Sequence, residues 1–401
     1  MKDSILRFIS SRCFLAFLVY LPGIRSYSQT LEKKPDSIPV QLHVYGSFRG
    51  HFALYNKELE IQENASRIGF EISTTHHKIR YFTGVELQVN MFRSEVSFNL
   101  NANTTGGYLV ADRVQNRQVF SGRLGYIGMD LGKWGYLVLG KQKSIYYDVS
   151  GFTDRFNVFG GGATATYNAG TDGGFTGTGR ADQALTYRNT SGRFSYGLQT
   201  QFVNTTNRRF FDGIGFNIRA ALTPHFNLGI AYNKAFLNKS LIGSGEFIGL
   251  KNNPEYLAIG TSYITNQLEL AAVIAKHSNG DLTTGKLPDP VAGNTYPAVV
   301  FNATGYELFI RYRWKNWRFT GGGNYYKPDT EVQTATGENP LYKNFKRSYL
   351  ILGAEYHPLP YGRFYIESRI TDSETAQGIK EPTVNTIGIR LDFDRIFERS
   401  F

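Results

Sequence analysis

Along most of the chain, apolar side chains recur at every second position. In NTIGIRLDF (385–393), Ile387, Ile389, Leu391 and Phe393 fall on one face, while Gly388, Arg390 and Asp392 fall on the other. RIGFEI sets Ile68, Phe70 and Ile72 against Arg67, Gly69 and Glu71. YELFIRYRW sets Tyr306, Leu308, Ile310, Tyr312 and Trp314 against Glu307, Phe309, Arg311 and Arg313. A period of two belongs to a β-strand, whose side chains alternate across the sheet; a helix repeats every ~3.6 residues.

This template predicts sixteen strands, near 40–53, 65–73, 78–90, 119–130, 135–142, 181–189, 193–203, 213–223, 226–236, 256–265, 268–277, 305–315, 317–327, 346–356, 362–371 and 384–393. Their connections alternate in length. Short turns fall at 74–77, 131–134, 190–192, 224–225, 266–267, 316 and 357–361. Long loops fall near 91–118, 143–180, 237–255, 278–304, 328–345 and 372–383, with shorter ones near 54–64 and 204–212. One end of the sheet is trimmed and the other elaborated, as in transmembrane barrels of the outer membrane. A soluble β-sandwich also has many alternating strands, but its outward faces are polar and its loops do not alternate in length. Here the apolar face is aliphatic, with Tyr, Trp and Phe near the strand ends, and Arg, Glu, Asp and Gln collect on the other.

The expected fold is therefore all-β, a 16-stranded antiparallel transmembrane β-barrel. A barrel of that size leaves a water-filled lumen rather than a packed core. One segment breaks the period: 143–180, glycine-rich, with Gly160, Gly161 and Gly162 in a row. This long third outer loop is expected to fold into the lumen and narrow it.

The chain starts with basic groups at Lys2, Arg7 and Arg12, an apolar run from Cys13 to about Ile24, and Ser26-Tyr27-Ser28. Residues 1–28 read as a secretory signal peptide cut after Ser28, leaving a single barrel domain over 29–401. The lone cysteine, Cys13, leaves with that peptide, so the mature chain has no disulfide and no thiolate metal site. Four cations (Lys2, Arg7, Arg12, Arg25) and one anion (Asp3) leave too, lowering the net charge from +11 to +8. Such an excess favours anionic partners, and export makes nucleic acid the least suitable of them.

In order along the chain, SRIGFEIS (66–73), GVELQV (84–89), SGRLGYIGMDLGKWGYLVLGKQ (121–142), YDVSGFTDRF (147–156) and RADQALTYRN (180–189) resemble the general diffusion porins of Gram-negative outer membranes. The resemblance implies a homotrimer of barrels in contact with outer-membrane lipid and lipopolysaccharide, passing small hydrophilic solutes and ions without a cofactor. It further implies a constriction where a basic wall faces acids of the third loop. Matched by position, the wall is Arg67, Arg123 and Arg180, with Lys141 as a fourth member. Alternation places Arg67 opposite Ile68 and Phe70, Arg123 opposite Leu124 and Tyr126, and Arg180 opposite Leu185 and Tyr187. Lys141 shares the parity of Leu137 and Leu139, so it needs a bulge to reach the pore.

In the loop, Asp154 of the FTD triplet matches an acid of the family's loop, with Arg155 beside it; for Asp148 and Asp154 a place in the constriction and plain turn capping both stay open. The positions that carry the main loop carboxylates in many relatives read Val158 and Gly162 here. The wall has thus lost counter-charge, which predicts a pore neutral to anion-favouring, with Asp172 and Asp182 as acids that would restore the balance.

Two other functions are weighed. A substrate-specific channel for a phosphate-like anion or a sugar would use a basic track or an aromatic platform, for which Tyr146, Tyr147, Phe152 and Phe156 are available. An enzyme would need a base beside a nucleophile. His43, His51, His76 and His77 form no such pattern, and GxSxG and HExxH are absent from the sequence. The expectation is a channel, not an enzyme.

Overall fold

A computed structural model describes residues 39–91, 97–99, 110–112, 119–166, 172–202, 211–288, 295–329 and 340–400. The expected signal peptide and the terminal Phe401 lie outside the described residues. Among the described residues there are nineteen strands: β1 (Pro39–Tyr55), β2 (Glu58–Glu63), β3 (Arg67–His76), β4 (Ile79–Val89), β5 (Ser97–Asn99), β6 (Val110–Asp112), β7 (Phe120–Asp130), β8 (Tyr136–Lys143), β9 (Arg180–Ser191), β10 (Phe194–Gln201), β11 (Gly213–Ala221), β12 (Phe226–Ala235), β13 (Glu255–Ile264), β14 (Leu268–Pro288), β15 (Thr295–Trp314), β16 (Trp317–Pro328), β17 (Arg347–Leu359), β18 (Gly362–Thr371) and β19 (Val384–Ser400).

β5 and β6 pair only with each other. β1 hydrogen-bonds β3 along Val40–Ser47 and β2 along Gly50–Tyr55, so β2 and β3 form one stave broken at Asn64–Ser66. Each remaining strand pairs antiparallel with its sequence neighbour, and β19 closes on β1. The result is a closed barrel of sixteen antiparallel staves.

Side-chain alternation is the physical basis of this closure. On β15, Tyr306, Leu308, Ile310 and Tyr312 are exposed, while Glu307 and Phe309 between them are buried. On β19, Ile387, Ile389 and Leu391 are exposed and Thr386 is buried. A ring of exposed aliphatic side chains is the reverse of a soluble protein. Hydrocarbon around that ring stabilises the fold by roughly 1.5–3 kcal/mol per large side chain. Closure also leaves no free sheet edge, so backbone polar groups are paired where no water is available.

The sharpest turns are built locally. Tyr55 pairs with Glu58 and His76 with Ile79, leaving two-residue connections. Asn56, Lys57, His77 and Lys78 all have positive φ, from 47° to 69°. Positive φ at both central residues is the type I′ geometry, whose twist matches that of the flanking strands.

Two expected loops are partly strand. Residues 54–64 hold the β1–β2 hairpin, and 278–304 is bounded by β14, running to Pro288, and β15, starting at Thr295. The sequence SNGD reads as a turn, but Asn279 absorbs it with φ 51° and the ladder resumes at Asp281 opposite Phe301. Val299 and Phe301 then pack with Ala163, Tyr326, Leu341 and Phe345, a burial that the turn-like residues themselves do not signal.

Candidate functional site

Between β8 and β9, Ser144 accepts the Tyr147 amide with its hydroxyl oxygen, 2.9 Å, and a short helix α1 (Tyr147–Ser150) follows. Val149 of α1 is fully buried, against β12 and β13. A Cβ at Gly260 would lie only 3.1 Å from Val149 and 3.0 Å from Phe152, so that glycine makes room for the helix. Asp148, also on α1, accepts Arg188 Nε of β9 at 2.8 Å and Asn217 Nδ2 of β11 at 2.9 Å.

Further along, two carboxylates from distant strands collect backbone amides of the segment. Glu367 of β18 accepts the N–H groups of Asn157, Val158 and Phe159 at 2.8, 2.9 and 2.7 Å. Glu307 of β15 accepts those of Ala163 and Thr164 at 2.8 and 2.9 Å and the Thr153 hydroxyl. Arg347 of β17 donates to the Gly162 carbonyl at 3.0 Å. Leaving one of these buried amides without its acceptor would cost about 1–3 kcal/mol. The segment is thus held through its backbone as well as by the burial of side chains such as Val158, Phe159 and Ala163.

Beside this segment lies a cavity of about 1030 Å³. Its lining includes eight basic residues, Arg49, Arg67, Arg123, Lys143, Arg155, Arg180, Arg390 and Arg395, against four acidic ones, Glu86, Asp154, Asp392 and Asp394. Arg67, Arg123, Arg180, Asp154 and Arg155 all lie on that lining. Asp148, Val158 and Gly162 are not on that lining, and neither is Lys141.

Most of these charges are paired. Arg123 Nε lies 2.8 Å from Glu86, which also receives the Tyr45 hydroxyl at 3.2 Å. Asp172 lies 3.0 Å from both Arg180 Nε and Lys141 Nζ, and Asp182 lies 2.8 Å from the same Lys141. Burial pushes the Asp172 carboxyl up, but Arg180 and Lys141 outweigh it and hold the group below its usual range. Asp154 accepts the Tyr147 hydroxyl at 2.8 Å, and Arg155 reaches Glu269 at 3.3 Å. Arg67, by contrast, forms no ion pair among the described residues.

The parity argument needs correction at Arg123. Tyr126 is not opposite to it: its hydroxyl donates to Glu71 at 3.0 Å, while Ile127 is the exposed neighbour. The β4–β7 register shifts so that Glu86 faces Leu124 and Leu87 faces Gly122, which leaves Arg123 as the extra residue of a bulge. A second irregularity lies between Gly140 and Gln142 of β8, opposite Asp182 and Gln183 of β9. The extra residue is on β9, where Asp182 and Gln183 face the single Lys141, and Gly140 beside it has φ 126°. Beyond it, counting from Leu185 or Tyr187 no longer sets the face of Arg180.

Several residues of this site escaped the sequence reading. Arg49 was legible as the next residue on the Ser47 face of β1. Lys143 falls at the strand end, where alternation gives no guide. Glu307 and Glu367 lie about 144 and 208 residues from their amide partners, so no local signal exists for them.

Residues 26–357 match the sequence profile described as Gram-negative porin. Outer membrane porin F of Salmonella typhimurium is 28% identical over 260 residues, which span 59% of this chain and 67% of that protein. Among solved structures, the Salmonella typhi OmpF complex with daunomycin superposes with a TM-score of 0.66 at 19% identity, over 88% of this chain and 97% of that one. The anion-selective porin from Comamonas acidovorans gives 0.59 at 13% identity, over 88% and 100%.

Proposed function

The chain belongs to the Gram-negative porin family, and on that premise we propose that the segment between β8 and β9 forms the constriction of its channel and that this constriction favours small anions. The protein is an outer-membrane porin, a water-filled barrel through which small hydrophilic solutes and ions diffuse passively. The observation that carries the anion preference is the charge balance of the cavity, eight basic residues against four acidic ones. Charges lining a narrow, low-dielectric passage raise the local concentration of the opposite ion.

The arrangement of the loop supports the same reading. Val158 and Gly162 meet β-strand partners through backbone atoms and offer no carboxylate. Glu86, Asp172 and Asp182 offset part of the wall, so the preference is moderate. The fold accommodates anion selectivity in the Comamonas porin; the charge balance is what argues for it here. A reversal potential in a potassium chloride gradient tests the proposal: a chloride-directed value supports it, and clear cation preference rejects it.

Cleavage after Ser28 and assembly as a homotrimer in lipopolysaccharide-containing membrane complete the reading. Both follow from the leader-like N-terminus and from the family. N-terminal sequencing of the outer-membrane form checks the first, with Gln29 expected, and cross-linking in membranes checks the second. We propose no enzymatic activity; hydrolysis of phospholipid or peptide by the purified barrel would contradict that.

A further inference from the structure

We infer that Arg49, Arg67 and Lys143 form a binding station for a compact tetrahedral dianion, inorganic phosphate or a phosphate monoester, within the channel. The inference rests on reading the cavity as part of the conducting path. Neither Arg49 nor Lys143 belongs to the basic wall predicted from the sequence.

All three side chains line the same cavity, and they come from β1, β3 and the end of β8. Four of the other five basic residues on that lining are ion-paired: Arg123 with Glu86, Arg155 with Glu269, Arg180 with Asp172 and Arg390 with Asp392. Arg49, Arg67 and Lys143 form no ion pair among the described residues. The carboxylates whose field reaches Lys143 are Asp154 and Glu86. Both are already engaged, the first by the Tyr147 hydroxyl and the second by Arg123.

The cations are also held in place without a counter-ion. Arg49 Nε donates to Ser47 Oγ at 2.7 Å, and Ser47 in turn donates to Asp392 at 2.6 Å. That anchor holds the guanidinium through Nε alone. Lys143 Nζ sits 5.0 Å from the centre of the Tyr147 ring, a cation–π contact that locates the ammonium without discharging it. A guanidinium fork matches two oxygens of a tetrahedral oxyanion, while a lysine contributes a point charge. Three cations without a direct ion pair on one cavity suit a dianion better than a single chloride.

The test uses the whole protein in planar bilayers. Chloride current is recorded at roughly pH 8, where phosphate groups are largely doubly charged, while inorganic phosphate is added. The expected result is a concentration-dependent reduction of current by phosphate that equal additions of chloride or of succinate do not reproduce. Arg49→Gln and Lys143→Gln should each raise the half-blocking concentration about tenfold, the loss of one charge-assisted contact. Lys133→Gln, in a turn away from the cavity, should leave it unchanged.

Unaltered current with phosphate overturns the inference, as does equal block by succinate or a half-blocking concentration unchanged in both variants. If neither variant is recovered folded, the comparison of phosphate with chloride and succinate on the natural protein decides alone. The reversal potential without phosphate separates the two readings. A chloride-favouring channel indifferent to phosphate sinks only the station, and a cation-favouring channel that phosphate still blocks sinks only the general anion preference.

Discussion

The Glu367 carboxylate and the Phe159 backbone N–H lie 2.7 Å apart although 208 residues separate them. With Asn157 and Val158 on the same carboxylate, this contact ties the loop after β8 to a strand on the far side of the sequence. Its character is that of a clamp: one acidic side chain organises three consecutive amides.

Replacing that clamp should loosen the loop and leave the barrel intact. Glu367→Gln supplies one carbonyl oxygen where two carboxyl oxygens accept three amides. A loss of about 2–4 kcal/mol in local stability is expected. Single-channel recordings should show more frequent flickering, while the thermal unfolding of the barrel shifts little. A quiet trace from Glu367→Gln would mean that packing, and not the clamp, holds the loop.

Freeing a wall arginine should change selectivity in a known direction. Glu86→Gln leaves Arg123 without its ion pair, so the anion preference should increase, read as a larger chloride-directed reversal potential. Arg67→Gln should lower it. If both variants shift the potential the same way, wall charge is not what sorts ions here.

Restoring an acid to the loop should not restore counter-charge at Val158. That side chain is 2% exposed and packs with Phe159, Tyr349, Ile351 and Tyr365. A carboxylate there is desolvated without a partner, at a cost of several kcal/mol on the scale of uncompensated buried charge. Val158→Glu is expected to reduce the yield of folded protein, whereas Asp154→Asn, at the cavity, should fold normally and increase the anion preference. Normal folding of Val158→Glu with a shift toward cations would reverse this assignment.

Acid should act on the Asp172 bridge only at low pH. Its folded value lies below 3.8, held there by Arg180 and Lys141 against the effect of burial. A depressed carboxylate contributes stability that is complete above its unfolded value and is lost as pH falls through the folded one. Ion selectivity governed by this cluster should therefore stay level from neutral pH down to about 5, and turn toward anions only in stronger acid as Arg180 and Lys141 are released. Asp172→Asn should show that anion-favouring state already at neutral pH. A selectivity change centred near pH 6 would point to another group.

What the sequence determined by itself was the barrel. Alternation in segments such as 385–393 is a local property: each residue faces hydrocarbon or water by parity, and a run of polar turns then sets the number of staves. Arg67, Arg123 and Arg180 were singled out by the resemblance of their motifs, not by parity, and all three line the cavity. What only the tertiary structure decided was how their charge is used. A single extra residue at Arg123, and another beside Lys141, reverses parity downstream, and no local pattern announces it. Pairing of Arg123 with Glu86, of Lys141 with Asp172 and Asp182, and of the loop amides with Glu307 and Glu367 joins residues far apart in sequence. Such contacts exist only after the sheet has closed, because closure is what brings those strands and the loop within hydrogen-bonding distance. Arg49, Arg67 and Lys143 come from β1, β3 and the end of β8, and only that closed arrangement puts them on one cavity.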